Sequence, residues 1–242
     1  MEFISNYKKY REIFDEYVSH YDNSNSMISK KFSHSYRVAI HAANIAKSLD
    51  LDERQIEISY ICGLFHDIGR FEQATQSHSF DDKYFQDHGD YGAKILEDGI
   101  AKKITEDKEI QNIIIVATKY HNKYAIGKVT QKEELYCKIT RDADKIDIME
   151  NQMNKVEGTY KMDPKMLEQV YSKTLCKNGE VKNPIDHILR MLCFIYDMHF
   201  KYSFDYLKEK NIIEKKLELI KKHSAEDTSE LIEFVNNYIK ER

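Results

Sequence analysis

The sequence predicts an all-α fold, a single helical bundle with further helices at its C-terminal end. Three observations carry that prediction. The 242 residues include only 8 Gly and 2 Pro, Pro164 and Pro184. Apolar residues recur at three- and four-residue spacing through most of the chain. Polar clusters separate these stretches at intervals that suit helix connections. A sheet-rich chain of this length needs frequent turn residues, and they are scarce here. The length is sufficient to bury a sizeable core.

The elements follow in order. Residues 2–21 carry Phe3, Tyr7, Tyr10, Phe14, Tyr17 and Val18 at helical spacing, and 22–26 form the first break. Residues 33–49 place Val38, Ala42, Ile45, Ala46 and Leu49 on one stripe. Asp52 is positioned to cap a helix running through Ile56, Ile61, Leu64 and Phe65 to Ile68. Gly69 then stands where helices commonly end. Residues 72–86, with Thr75, Ser77, Ser79, Asp81 and Asp82, read as a long loop of the kind that covers sites on helical scaffolds. Helical patterns resume at 87–96, 107–120 and 132–150, with a loop at 122–129. A variable stretch at 152–183 precedes an apolar helix at 185–200 and a charged C-terminal helical pair. No linker composition divides the chain, so one domain over residues 1–242 is expected.

Bulk properties exclude several functions. A net charge of −4 gives no basic field, so no nucleic-acid duplex is expected as a partner. The lysines between 208 and 222 alternate with Glu209, Glu214 and Glu218, as on a solvated helix face. Cys62, Cys137, Cys176 and Cys193 form no C-x-x-C pair, and free thiols are expected. The opening MEFISNYKKYREIF lacks the apolar core of a signal peptide, and no run approaches the length of a membrane span. A cytoplasmic protein without membrane attachment is the expectation.

The chemistry concentrates in Leu64-Phe65-His66-Asp67-Ile68-Gly69-Arg70. A neutral imidazole beside a carboxylate offers a divalent cation two ligands of different hardness. With ten histidines, about one His-Asp pair is expected by chance. This pair, however, lies near the end of an apolar helix, where two ionisable groups need partners. His34, in Ser33-His34-Ser35-Tyr36-Arg37, opens the preceding predicted helix. Asp144, in Asp142-Ala143-Asp144-Lys145, lies on a later one. Antiparallel packing of these helices would gather the four around a cation.

The order His…His-Asp…Asp, with His-Asp-Ile-Gly and Ala-Asp-Lys as local contexts, resembles the HD-domain superfamily of metal-dependent phosphohydrolases. The resemblance implies an HD-like core at about 30–150, a helical extension at about 151–242, and His34, His66, Asp67 and Asp144 as metal ligands. Asp142 competes for the last position. Asp144 is favoured because the family's aspartate follows a small residue and precedes a basic one. Some branches of the superfamily insert two further histidines that hold a second metal, and His88 and His121 stand in that order here. Each also has a bland reading, as a surface histidine or a helix-terminal charge. The remaining histidines fit no such pattern, and His41, seven residues after His34, is assigned to packing.

The resemblance implies two divalent ions (Mn, Fe, Co, Mg, Ni or Zn) and hydrolysis of a small phosphorylated substrate, such as a nucleotide, by metal-activated water. Asp67 is then central to catalysis, while Arg37, Arg70 and Lys145 are the cations expected to grip phosphate. The same six-residue order also matches a small branch of the fold that activates dioxygen on two irons. A non-catalytic nucleotide-binding module is the third possibility. Other nucleophilic schemes lack their residues: there is no G-x-S-x-G, no Walker-type loop and no H-E-x-x-H. Cys62 lies four residues before His66, but in an apolar stretch where a thiol is inert.

Overall fold

The computed structural model describes residues 7–152, 155–176 and 181–242. Among these the chain is all-α; the extended pairing is limited to an isolated bridge between Tyr160 and Ser224. Two compact units are present, Met1–Asp147 and Ile148–Arg242.

The first unit contains α1 (Lys8–Val18), α2 (Ser26–Ser48), α3 (Glu53–Phe65) and α4 (Gly69–Ser77). A short 3-10 turn (Asp82–Tyr84) leads to α5 (His88–Ile95), a π-type turn (Leu96–Ile100), α6 (Ala101–Ile104) and α7 (Lys108–Tyr120). Helix α8 (Gln131–Asn151) carries the boundary between the units in its last turn. Side-chain caps set several of the starts. Asp52 accepts from Gln55 N at 2.8 Å while Gln55 Oε1 accepts from Asp52 N at 3.1 Å, a reciprocal box that opens α3. Asp87 and Asp107 satisfy the first amides of α5 and α7 in the same way.

Helices also form at Ala101–Ile104 and Pro164–Tyr171, and three helices, not a pair, follow residue 200; three further differences from the sequence pattern have a local reason. Asn25 accepts from Met27 N at 2.9 Å and starts α2 at Ser26, so His34 lies in its third turn and not at its start. Gly69 begins α4 instead of ending α3, and residues 72–77 are helical. Phe71, Gln73 and Ala74 turn inward there, so a polar-looking stretch still buries a face and the loop shortens to 78–87. The apolar run at 185–200 breaks after Leu192 into a 3-10 turn and an extended Met198. Residues 2–6 of the expected opening helix lie outside the described residues, as does part of 152–183.

The core of the first unit is built on Phe14. Its ring meets Phe65, Phe71 and Tyr36 edge-on at 5.5, 5.7 and 5.8 Å between centroids, and packs on Phe32 at 5.9 Å. Such offset aromatic contacts favour one arrangement of the rings over others. Helix α3 is buried on every side from Ile58 onward and presses on the small-residue stripe Ala39, Ala42, Ala43 and Ala46 of α2. Gly63 permits the approach, because a Cβ there would stand 2.8 Å from both Ala39 Cα and Val38 O. The close crossing sets the separation of His34 and His66.

The second unit comprises α9 (Pro164–Tyr171), α10 (Pro184–Leu192), the 3-10 turn (Cys193–Asp197), α11 (Lys201–Glu209), α12 (Ile212–His223) and α13 (Ser229–Lys240). Both prolines of the chain occupy a first helical turn behind a capping Asp163 or Asn183, where a missing N–H costs nothing. Lys216 on α12 is an exception to ordinary core composition. It is 1% exposed, and among the described residues its Nζ meets the Gln152 carbonyl at 3.4 Å and Met191 Sδ at 3.6 Å. Burial pushes its ammonium down from 10.5 to about 8.

Two predictions follow from this packing. Gly63→Ala forces α3 away from α2 and lowers stability by about 1–3 kcal/mol, read as an earlier thermal transition by circular dichroism. Lys216→Met removes a buried ammonium. The unfolded chain keeps that proton up to pH 10.5 and the folded chain only to about 8, so the wild-type protein gains stability as pH rises between those values. The variant is therefore more stable at pH 7 by about 2–3 kcal/mol. Thermal scans from pH 7 to 10 should show its advantage shrinking as the medium becomes alkaline.

Candidate metal centre

Helix α3 ends at Phe65, and the turn 66–68 delivers His66 and Asp67 beside α2 before Gly69 opens α4. Phe65 and Ile68 flank the pair and are fully buried. Gly69 is needed where α4 meets α5, since a Cβ would lie 2.5 Å from the His88 carbonyl oxygen. The first turn of α5 is thereby held against the His66–Asp67 turn.

Six side chains predicted from the sequence converge there. His34 Nε2 lies 3.1 Å from Asp144 Oδ1, 3.2 Å from His66 Nε2 and 3.5 Å from Asp67 Oδ2. His66 Nε2 is 3.5 Å from both Asp144 Oδ1 and Asp67 Oδ2. On the other side, His88 Nε2 and His121 Nε2 are 3.1 Å apart, at 3.5 and 3.3 Å from Asp67 Oδ1. Asp67 thus turns one oxygen to each set. Ligand atoms about 2.1 Å from a shared ion stand about 3.0 Å apart at right angles and about 3.4 Å apart in a tetrahedron, so the spacings suit a cation on either side. Asp142, the competitor of Asp144, is buried outside both donor groups.

The hydrogen bonds of the far ring nitrogens support the same use. His34 Nδ1 donates to Asp147 Oδ2 at 2.6 Å, His66 Nδ1 to the Gly63 carbonyl at 2.7 Å, His88 Nδ1 to Asp82 Oδ2 at 2.9 Å, and His121 Nδ1 to the Thr118 carbonyl at 2.6 Å. Each proton is therefore assigned to Nδ1, and every neutral ring presents an Nε2 lone pair to the centre. Two such lone pairs facing one another at 3.1 or 3.2 Å repel unless a proton or a metal stands between them. The donor set fits a metal.

Charge points the same way. Burial lowers the affinity of His66 for a proton, but Asp67 and Asp144 outweigh it and lift the ring to about 10. At His34, burial and Lys31 oppose the proton, while Asp144, Asp147 and Asp67 prevail and raise the pKa. Burial likewise penalises the charged carboxylates. Lys31 and His66 nevertheless hold Asp67 well below its ordinary value, and His34 and His66 do so for Asp144. His88 is the reverse case: burial and Arg70 push it down to about 4 despite Asp82. His121 is lowered chiefly by burial. One half of the centre thus calls for positive charge, and the other half keeps its imidazoles neutral and ready to coordinate.

The expected phosphate-gripping cations are placed differently from the sequence reading. Arg37 gives Nε and a terminal nitrogen to Asp147 at 2.6 and 3.0 Å, behind His34. Arg70 donates to the Phe80 carbonyl at 2.6 Å, Gln73 Oε1 at 2.5 Å and Asp82 Oδ1 at 3.2 Å, fastening the loop that orients His88. Arg37 acts on His34 through Asp147, whereas Arg70, besides holding Asp82, stands with its Nε 3.6 Å from Asp67 Oδ1 itself. Lys145 is buried beside Asp144, with Nζ 3.4 Å from the Arg141 carbonyl. Cys62 is buried, with its thiol pushed well up by desolvation, and is no nucleophile.

Sequence reasoning missed four residues. Asp147 follows Asp144 by one helical turn, an Asp-x-x-Asp spacing that signals a shared face. Arg141, one turn earlier, is fully buried and donates to the Tyr120 and Lys123 carbonyls at 2.7 and 2.6 Å, closing the end of α7 that bears His121. Lys31 lies one turn before His34, with Nζ 2.5 Å from Asp67 Oδ2. Asp82 carries no local signal beyond its polar surroundings.

Residues 32–149 match the family model of the HD domain. That match, with the helical fold and the donor order, makes residues 32–149 an HD domain, a domain of the metal-dependent hydrolase superfamily. No curated protein and no solved structure matches the chain.

Asp147→Asn should weaken metal binding by about 10- to 100-fold, because the amide no longer fixes the His34 tautomer as a carboxylate does. Metal titration of the chelator-stripped protein measures this, with an unchanged helical dichroism spectrum as the control for folding.

Proposed function

We propose that the chain is a phosphohydrolase that cleaves a phosphoester of a nucleotide or another small phosphorylated metabolite, using two divalent ions. The observation that carries the reading is Asp67, whose two oxygens face separate sets of imidazoles. His34, His66, Asp67 and Asp144 would hold one ion, and Asp67, His88 and His121 the other. Ions bound there supply a water of lowered pKa and neutralise phosphoryl oxygens.

The chain's own residues do the rest. Asp147, Asp82 and the two helix carbonyls keep each imidazole in the tautomer that coordinates. Asp67 and Asp144 carry the negative charge that draws cations into a buried place. Asp144 keeps 15% of its side chain exposed, more than Asp67 does. Arg37 and Arg70 act as positioning residues for His34 and His88.

The nitrogen-rich donor set also suits iron, which makes the di-iron oxygenase the second reading. Phosphate release from a nucleotide and phosphoester panel, with Mn²⁺, Co²⁺ or Mg²⁺ and with chelator, separates the two. The expected outcome is metal-dependent turnover that Asp67→Ala abolishes with helical content intact. Turnover retained in that variant removes the site assignment, and oxygen uptake by iron-loaded protein without phosphate release selects the oxygenase.

A further inference from the structure

We infer that Lys31 is the resident counter-cation of the metal centre, holding Asp67 while no metal is bound and contacting the substrate's phosphoryl group once metal displaces it. The second half rests on the phosphohydrolase reading; the first does not.

The case starts from the other cations. Arg37 is chelated by Asp147. Arg70 also reaches the centre, with Nε 3.6 Å from Asp67 Oδ1, but its terminal nitrogen is bound to the 78–87 loop through the Phe80 carbonyl and Asp82. Lys145 bonds the Arg141 carbonyl of its own helix. Lys31 differs from all three, because its polar contact among the described residues is with Asp67 Oδ2, the oxygen that faces His34 and His66. An ammonium ion therefore stands at a place where the donor geometry suits a divalent cation. A divalent ion on that oxygen repels the ammonium at such short range, which favours moving Lys31 off Asp67.

The surroundings limit where it goes. Lys31 keeps 17% of its side chain exposed, so it reaches the centre from the solvent side. Its Nζ also lies 5.3 Å from the centroid of the Phe80 ring, while Arg70 Cζ lies 5.5 Å from the same ring. Phe80 is held through its own carbonyl by Arg70. This ring gives a displaced ammonium a second favourable contact close by, so Lys31 stays at the mouth. An unbranched four-carbon stem with three donors suits such a move, which a guanidinium locked in a bidentate pair cannot make. A phosphoryl dianion arriving at two divalent ions would then meet an ammonium at the rim.

The test compares Lys31→Met with the wild-type protein and with Lys30→Met, whose residue is the exposed neighbour. The first readout is the Mn²⁺ affinity of chelator-stripped protein by electron paramagnetic resonance. Loss of a competing ammonium should tighten binding about tenfold in Lys31→Met and leave Lys30→Met unchanged. The second is inorganic phosphate binding to Mn²⁺-loaded protein by calorimetry, where Lys31→Met should bind about tenfold more weakly and Lys31→Arg should keep most of the affinity. Unchanged Mn²⁺ affinity in Lys31→Met, or an equal change in Lys30→Met, overturns the counter-cation role. Phosphate bound equally well by wild type and Lys31→Met overturns the substrate role alone. If the loaded wild-type protein binds no phosphate, the phosphohydrolase reading and the substrate role fall together, and the Mn²⁺ result still decides the counter-cation role.

Discussion

The structure around the centre depends on four Nδ1–H groups, each tied to an acceptor that its own fold element supplies. Two acceptors are carbonyls one turn back on the same helix end, Gly63 for His66 and Thr118 for His121. They cost the chain no extra side chain, because carbonyls near a helix C-terminus are unsatisfied in any case. The other two are carboxylates, Asp147 for His34 and Asp82 for His88. Those histidines lie inside or at the start of helices, where no free carbonyl is available. The position of each histidine in its helix thus dictates the kind of partner it needs. The partners in turn decide that every Nε2 faces inward.

This division explains what was legible in the sequence. His34, His66, Asp67, His88, His121 and Asp144 are legible because their order resembles that of the HD-domain superfamily, and metal-ligand types survive whatever the surrounding helix is made of. The all-α fold is legible for a similar reason: the Phe14, Val38 and Ile61 stripes follow helical periodicity, and scarce Gly and Pro leave few other options. Asp147, Asp82, Arg141 and Lys31 were not read, because their roles depend on which helices pack together. A conformation of the backbone, not a motif, places Asp82 under His88. The 72–77 segment misled because Gln73 and Thr75 look solvated, yet Gln73 is fully buried and donates to Asp82 at 2.9 Å. A buried polar side chain with a satisfied partner is invisible to hydropathy.

Arg37 and Arg70, the cations expected to grip phosphate, are both engaged by aspartates of the centre. Both sit within one turn of a ligand, which is why phosphate contact was expected of them. A guanidinium with five donors in a fixed fork is, however, the better tool for holding a carboxylate in place. Each arginine here does that for the aspartate behind a histidine. Removing Arg37 frees Asp147 first and the His34 imidazole second, while Arg70 adds to its hold on Asp82 an ion pair of its own with Asp67 at 3.6 Å.

The last constraint is that such a centre must be rigid before any cation arrives. Two carboxylates and four imidazoles placed in contact repel or exchange protons with one another, and a soft scaffold would relax by moving them apart. Several features oppose that relaxation. Phe14 clamps Phe65 and Phe71 on either side of the His66–Asp67 turn, Gly63 lets α2 and α3 lie too close for rearrangement, and Arg141 closes the helix end that bears His121. The aromatic and small-residue packing therefore keeps the donors close, where Lys31 and the carboxylate–imidazole pairs balance their charges and a cation finds its ligands already gathered.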